Sequence, residues 1–165
     1  MDKVNQLDNT SSEISLRKIK SSNLEVILNL KVKPKQKSLV ASNAKSIAEA
    51  HFTRGTWCRA IYLGKTPIGF VMLKDSTLKY KKKIPSNPEM YFWRFMIDGR
   101  YQGKGYGKRA MELVIEYVRT RPNVKEITLH HEPTKGNAGE FYKKLGFQHT
   151  GKIFLGELEM KLKIK

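Results

Sequence analysis

A single cysteine, Cys58, excludes an internal disulfide and is too few for a cysteine-based metal centre. It falls in the strand-like run Thr56 to Leu63, where it reads as a small buried hydrophobe and not as a nucleophile. Long apolar runs are also missing. Nothing approaches a membrane span, and the first fourteen residues are polar, without the apolar core of a secretion signal, so a cytoplasmic protein with no membrane partner is expected. Internal repeats are absent, and the only biased segments are runs of lysine. Acidic residues are scarce, 15 against 32 Lys and Arg, which leaves a formal charge of +17. Such a surplus suits nucleic acid, an anionic cofactor or a generally basic surface. The densest run, Lys79 to Lys83, precedes Pro85 and Pro88 and reads as a solvated loop. No helix-turn-helix, RNA-recognition or zinc-finger pattern accompanies it, so nucleic acid is not an expected partner.

What remains has the length of one ordinary domain, residues 14–165, behind a polar tail at 1–13. Ser15 to Lys20 alternates as a first strand. Ser22-Asn23-Leu24-Glu25 has the form of a capping box and predicts a helix through about Leu30. Ala44, Ile47, Ala48 and His51 recur at helical spacing and predict a second helix over Asn43 to Phe52. Thr56 to Leu63 and Pro67 to Leu73, joined through Gly64-Lys65-Thr66, predict a hairpin. Met90 to Ile97 is almost continuously apolar, as for a strand buried on both faces. Met111, Val114, Ile115 and Val118 mark one face of a long helix, Glu126 to His131 returns as a strand, and Asn137 with Glu140 can cap a further helix that Gly146 stops. Phe147 to Ile153 and Leu155 to Ile164 close the chain as two strands.

The most specific feature is Gln102-Gly103-Lys104-Gly105-Tyr106-Gly107, set between the Met90 to Ile97 strand and the following helix. Glycines at alternate positions let the backbone approach a ligand closely, and a helix start offers unpaired N–H groups and positive dipole to an anion. Lys104, Lys108 and Arg109 add mobile positive charge. A dinucleotide fingerprint would need glycine where Lys108 stands. A Walker loop would need Lys-Ser/Thr where the chain has Lys108-Arg109. Strand, glycine loop, helix and strand form a right-handed crossover with a ligand expected at the strand's carboxyl end.

This loop, with Asn137-Ala138-Gly139-Glu140-Phe141-Tyr142-Lys143-Lys144-Leu145-Gly146-Phe147, resembles the two signatures of the GNAT N-acetyltransferases. Phe92-Trp93-Arg94-Phe95-Met96-Ile97-Asp98, together with Gln36, Leu39 to Asn43 and Ser46 to Ala50, is similar to the bacterial spermine/spermidine acetyltransferase branch. The resemblance implies an α/β fold, a single domain with a mixed sheet of about six to seven strands and flanking helices. It also implies acetyl-CoA as cosubstrate, no metal, and acetyl transfer to a primary amine by direct attack through a tetrahedral intermediate. Met96 and Ile97 would offer backbone groups to the pantetheine and thioester, and an N–H near Ile97 would meet the oxyanion. Gln102, Gly103, Lys104, Gly105, Tyr106, Gly107 and Lys108 would cradle the pyrophosphate. Tyr142 matches the position that protonates the departing sulfur, a task suited to a phenol that stays protonated at neutral pH.

Two departures qualify the match. Lys135 stands where many members carry asparagine seven residues before the tyrosine, leaving Asn137 as a simple cap. Trp93 stands where some carry a strand glutamate as general base. The base is therefore open between a water chain and a side chain. His130 and His131 are adjacent on a strand, so alternation allows one of them into a cleft and forbids a metal pair. A polyamine acceptor needs carboxylates and aromatic faces: Glu25, Glu49 and Glu157 flank the acceptor side, with Tyr62, Trp57 and Trp93 as walls. The alternatives are another amine acceptor, such as an aminoglycoside or a protein amine, and a non-catalytic basic nucleic-acid module on the same fold. A homodimer is left open.

Overall fold

A computed structural model describes residues 13–133 and 138–164. Seven strands form one sheet in the order β1-β2-β3-β4-β5-β7-β6. In chain order these are β1 (Ile14–Arg17), β2 (Thr56–Leu63), β3 (Thr66–Asp75), β4 (Met90–Ile97), β5 (Glu126–His131), β6 (Gln148–Phe154) and β7 (Glu157–Lys163). The helices are α1 (Ser21–Leu28), α2 (Asn43–Phe52), α3 (Tyr106–Arg119) and α4 (Gly139–Lys144). All strand pairs are antiparallel except β4 with β5. Among the described residues the one parallel contact is the one that needs a crossover helix, and α3 supplies it.

The pleat divides the core in two. Val71, Leu73, Phe92, Ile127, Leu129 and Met160 face α3 and α4, where they meet Met111, Val114 and Val118 at helical spacing. Ala60, Phe70, Met72 and Met96 face α1 and α2 and meet Ile27, Leu30 and Ile47. β4 therefore is buried on both faces because it lies at the centre of a three-layer stack.

Local chemistry differs from the sequence expectation at the first helix. Lys20, not Ser22, is the N-cap, and Asn23, not Glu25, reciprocates: its Oδ1 accepts the Lys20 N–H at 2.8 Å. The helix then ends at Leu28, two residues before Leu30. Ser42 caps α2 as its position demands, accepting from the Lys45 N–H at 3.2 Å. The Asn137 cap lies outside the described residues, while Gly146 does take the left-handed conformation, at φ 94°. Burial pushes the Cys58 thiol up to about 11, outweighing the lowering by Arg59, so it is no nucleophile at neutral pH.

The turn after β4 is tied down by Asp98, which is buried. Its carboxylate accepts the N–H of Lys31 at 3.0 Å and of Arg100 at 3.1 Å, and the Arg100 Nε at 2.8 Å. The connector between α1 and α2 is thereby strapped beside the glycine loop. Burial alone would raise the Asp98 carboxyl, but the hydrogen bonds from Arg100 and the Lys31 backbone outweigh it and hold it below the usual range. A carboxyl lowered on folding contributes stability above its unfolded pKa, and this is lost as pH falls through the folded pKa. Asp98→Asn should melt about 3 °C below wild type at neutral pH, and the gap should close in acid as the wild-type carboxyl protonates. Thermal unfolding from neutral pH downwards checks this; a pH-independent gap refutes it.

Candidate active site

Along β3, strand β4 is paired from Met90 to Ile97, but its pairing with β5 stops at Tyr91 opposite Thr128. Beyond that point the two strands part, and a cleft of about 710 Å³ opens between them, a volume suited to a small-molecule ligand. A bulge contributes to the divergence. Leu73 faces Phe92 and Met72 faces Arg94, so Trp93 is the extra residue. The bulge sets Trp93 on the α1/α2 side, where Arg94 also lies and reaches Glu49 of α2 at 3.2 Å.

At the carboxyl end of β4, Gly103 and Gly105 have φ of 76° and 82°. A Cβ built on either would meet nothing within 4 Å, so the bare backbone borders open space. Gly105 caps α3, and the first intrahelical bond runs from the Arg109 N–H to the Gly105 carbonyl at 3.2 Å. The helix N–H groups before Arg109 are left for a ligand, which is the chemistry of an anion cradle. Gly107 packs closely, its Cβ position lying 3.6 Å from Ile97 Cγ1.

The Gln102 side chain turns inward, donating to the Ile97 carbonyl and to Gln36 Oε1, each at 2.8 Å, and thereby braces the strand end. Met96, Ile97, Gln102, Gly103, Gly105, Gly107 and Lys108 all line the cleft. Lys104 and Tyr106 do not: Lys104 is exposed beside the Tyr101 ring, and Tyr106 packs on the core. Arg109 points along the helix to Glu112 at 3.3 Å.

Tyr142 lines the opposite wall, 9% exposed, with its ring edge-on to Phe92 and Phe147. Burial raises its phenol, and the neighbouring Tyr91 raises it further, so it is a proton donor throughout the neutral range. Among the acceptor-side candidates, Glu157 and Trp93 line the cleft. Glu49 does not; it is engaged by Arg94, with Lys45 at 4.0 Å. Glu25 is exposed on α1 and accepts from Asn29 at 3.2 Å. Trp93 is itself covered by the Lys74 ammonium at 4.4 Å. Trp57 stacks on Tyr117 in the α3-side core, and Tyr62 lies under Arg17, so neither is a wall of the cleft.

Alternation allowed only one of His130 and His131 into the cleft, yet both line it. The reason is that the opening passes through the sheet. His131 borders it from the α3/α4 face, 2.9 Å from His149, while His130 borders it from the other face. Tyr91 and Arg94 were missed. The period-2 pattern of β4 was available for Tyr91, but an apolar run masks which of its residues turn a polar group toward the cleft.

Residues 24–147 match the Acetyltransferase (GNAT) family. The chain belongs to that family. It is 28% identical over 151 residues to the spermine/spermidine N(1)-acetyltransferase of Bacillus subtilis (strain 168), covering 89% of this chain and 96% of the relative. The fold is shared with the spermidine N-acetyltransferase of Vibrio cholerae in complex with CoA and spermine, at TM-score 0.66 and 20% identity over 91% of this chain and 95% of that one. It is also shared with the PaiA N-acetyltransferase of Thermoplasma acidophilum in complex with coenzyme A, at TM-score 0.65 and 18% identity over 92% and 99%. This GNAT chain is an acetyltransferase with a seven-stranded mixed sheet, as its two signatures implied.

Proposed function

We propose that this acetyltransferase moves the acetyl group of acetyl-CoA to a primary amine of a small acceptor, with a polyamine such as spermidine or spermine as the acceptor class. The observation that carries the reading is the parting of β4 from β5 above a glycine-lined helix start. The bare backbone at Gly103 and Gly105 fits a pyrophosphate, and Lys108 would add charge to hold it. Acetyl-CoA supplies an activated acyl group. The backbone at Met96 and Ile97 would orient it, and Tyr142 would hold the proton needed by the sulfur as it leaves. The Bacillus and Vibrio relatives support the polyamine class, as does Glu157 in the cleft wall, which can pair a second ammonium.

The surplus of positive charge is the observation that favours the competing nucleic-acid reading, and salt separates the two. Amine-dependent CoA release from acetyl-CoA should persist at physiological ionic strength. Binding to DNA or RNA should be weak, insensitive to length and lost there, because phosphate contacts are counterion-dependent. A panel of spermidine, spermine, an aminoglycoside and peptide amines checks both readings. Turnover confined to the last two would replace the acceptor. Tight, selective nucleic-acid binding with no CoA release would replace the function.

A further inference from the structure

The acid expected at Tyr142 lies on the α3/α4 face of the sheet, and the sequence left its opposite number, the base for the acceptor ammonium, unassigned. On the other face a connected set of side chains reaches the same cleft. The Tyr91 hydroxyl lies 3.1 Å from His130 Nδ1. His130 Nε2 lies 3.7 Å from Glu159 Oε2, and the other oxygen of Glu159 accepts the Thr150 hydroxyl at 2.8 Å. Tyr91 and His130 line the cleft, while His130 and Glu159 are largely shielded, at 15% and 14% side-chain exposure.

Register explains the gathering. Tyr91 is at the last paired position of β4, opposite Thr128. His130 lies two residues further on the same face of β5, and Glu159 of β7 is its direct cross-strand partner. Where the strands part, Tyr91 and His130 border the gap from the α1/α2 face, with Glu159 behind His130, and Tyr142 borders it from the α3/α4 face.

Resting on the acetyltransfer reading, we infer that Tyr91 and His130 form the proton relay that deprotonates the acceptor amine, with Glu159 as the positioning residue. With hydrogen on Nε2, the side that faces the Glu159 carboxylate at 3.7 Å, beyond direct hydrogen-bond length, the neutral imidazole keeps its Nδ1 lone pair toward the Tyr91 hydroxyl. The acceptor ammonium gives a proton to the Tyr91 oxygen as the Tyr91 proton passes to Nδ1. The amine lone pair is thereby freed for attack, Tyr91 ends as the phenol it began as, and the net proton resides on an imidazolium facing Glu159. Burial first, then the carboxylate of Glu157, keeps the Tyr91 phenol above its ordinary range, so it transmits the proton and does not retain a negative charge.

Other groups face this set. Lys74 of β3 lies 5.8 Å from the Tyr91 ring, Arg94 and Glu89 act on Tyr91 electrostatically, and Phe154 flanks the His130 ring at 5.8 Å. Glu157 and Glu159 are the carboxylates from β7, with Lys161 acting on Glu159. The Glu159 carboxylate beside His130 favours the imidazolium on which the proton comes to rest. The relay thus has a direction.

The test is the pH dependence of kcat/KM for Tyr91→Phe, His130→Gln and Glu159→Gln with spermidine. At about pH 7.5 the first two should be down roughly thirtyfold, somewhat less than a positioned base commonly supplies, because water in an open cleft substitutes in part. The deficit should shrink steadily as pH rises toward 10 and above, where a growing share of the amine is already neutral in solution. Glu159→Gln should show a smaller deficit with the same narrowing. A merely structural role gives a constant ratio at all pH, and that result overturns the relay while leaving acetyl transfer intact.

An independent readout is nitrogen NMR of the His130 ring in wild type, assigned with the His130→Gln variant. The Nε2–H tautomer should dominate and weaken in Glu159→Gln, whereas a dominant Nδ1–H tautomer overturns the assignment. Absence of CoA release by wild type with every amine removes the acetyltransfer reading itself, and the relay with it.

Discussion

Tyr142→Phe should lower turnover about a hundredfold while leaving acetyl-CoA affinity and thermal stability close to wild type. The phenyl ring keeps the edge contacts to Phe92 and Phe147, 6.0 and 5.8 Å between centroids, so the substitution removes one hydroxyl and no packing. What would be lost, on the role proposed for Tyr142, is the proton for the departing sulfur. Because burial and then Tyr91 raise the phenol, wild type should stay competent through pH 10, where an ordinary tyrosine would be half ionised. Single-turnover measurement of CoA release, with calorimetry of acetyl-CoA binding alongside, checks the split between kcat and affinity. Wild-type turnover in the variant, with chemistry rate-limiting, removes Tyr142 from the role.

The elements that position Tyr142 and the loop were legible because they are written in local chemistry. The boundaries of α2, β2, β4 and β5 follow from periodicity and from turn residues such as Gly64, and the Gly146 stop follows from its left-handed φ. What sequence could not supply is set by distant partners. Glu49 has the look of an amine ligand until Arg94, 45 residues away, engages it across the bulge at Trp93. A bulge shifts alternation by one residue, so no count along β4 could have put Trp93 and Arg94 on the same side. His130 and His131 illustrate the complementary limit. The period-2 rule gave their opposite orientations correctly, but a sheet that opens between β4 and β5 has a cleft with two faces. The same opening lets Tyr142 and Tyr91 act on each other from opposite layers.

Gly105→Val should raise the dissociation constant for acetyl-CoA at least a hundredfold, the largest effect expected on cofactor binding. Two costs combine. A β-branched residue at φ 82° is strained by about 1–3 kcal/mol and will rotate the loop, carrying the first N–H groups of α3 away from their common target. A side chain also enters space where nothing protein-derived lies within 4 Å of the new Cβ, the space that the phosphates would occupy. Gly105→Asn separates the two, since asparagine tolerates left-handed backbone and leaves mainly the obstruction. It should bind less weakly than the valine variant but well below wild type, with nearly wild-type melting. Calorimetry with acetyl-CoA reads the affinity. If both variants bind as wild type does, the cofactor phosphates do not rest on this loop. If only valine fails, the loop's conformation matters and the space over Gly105 does not. Loss in both, graded in that order and without loss of fold, is the signature of a backbone that a ligand approaches closely.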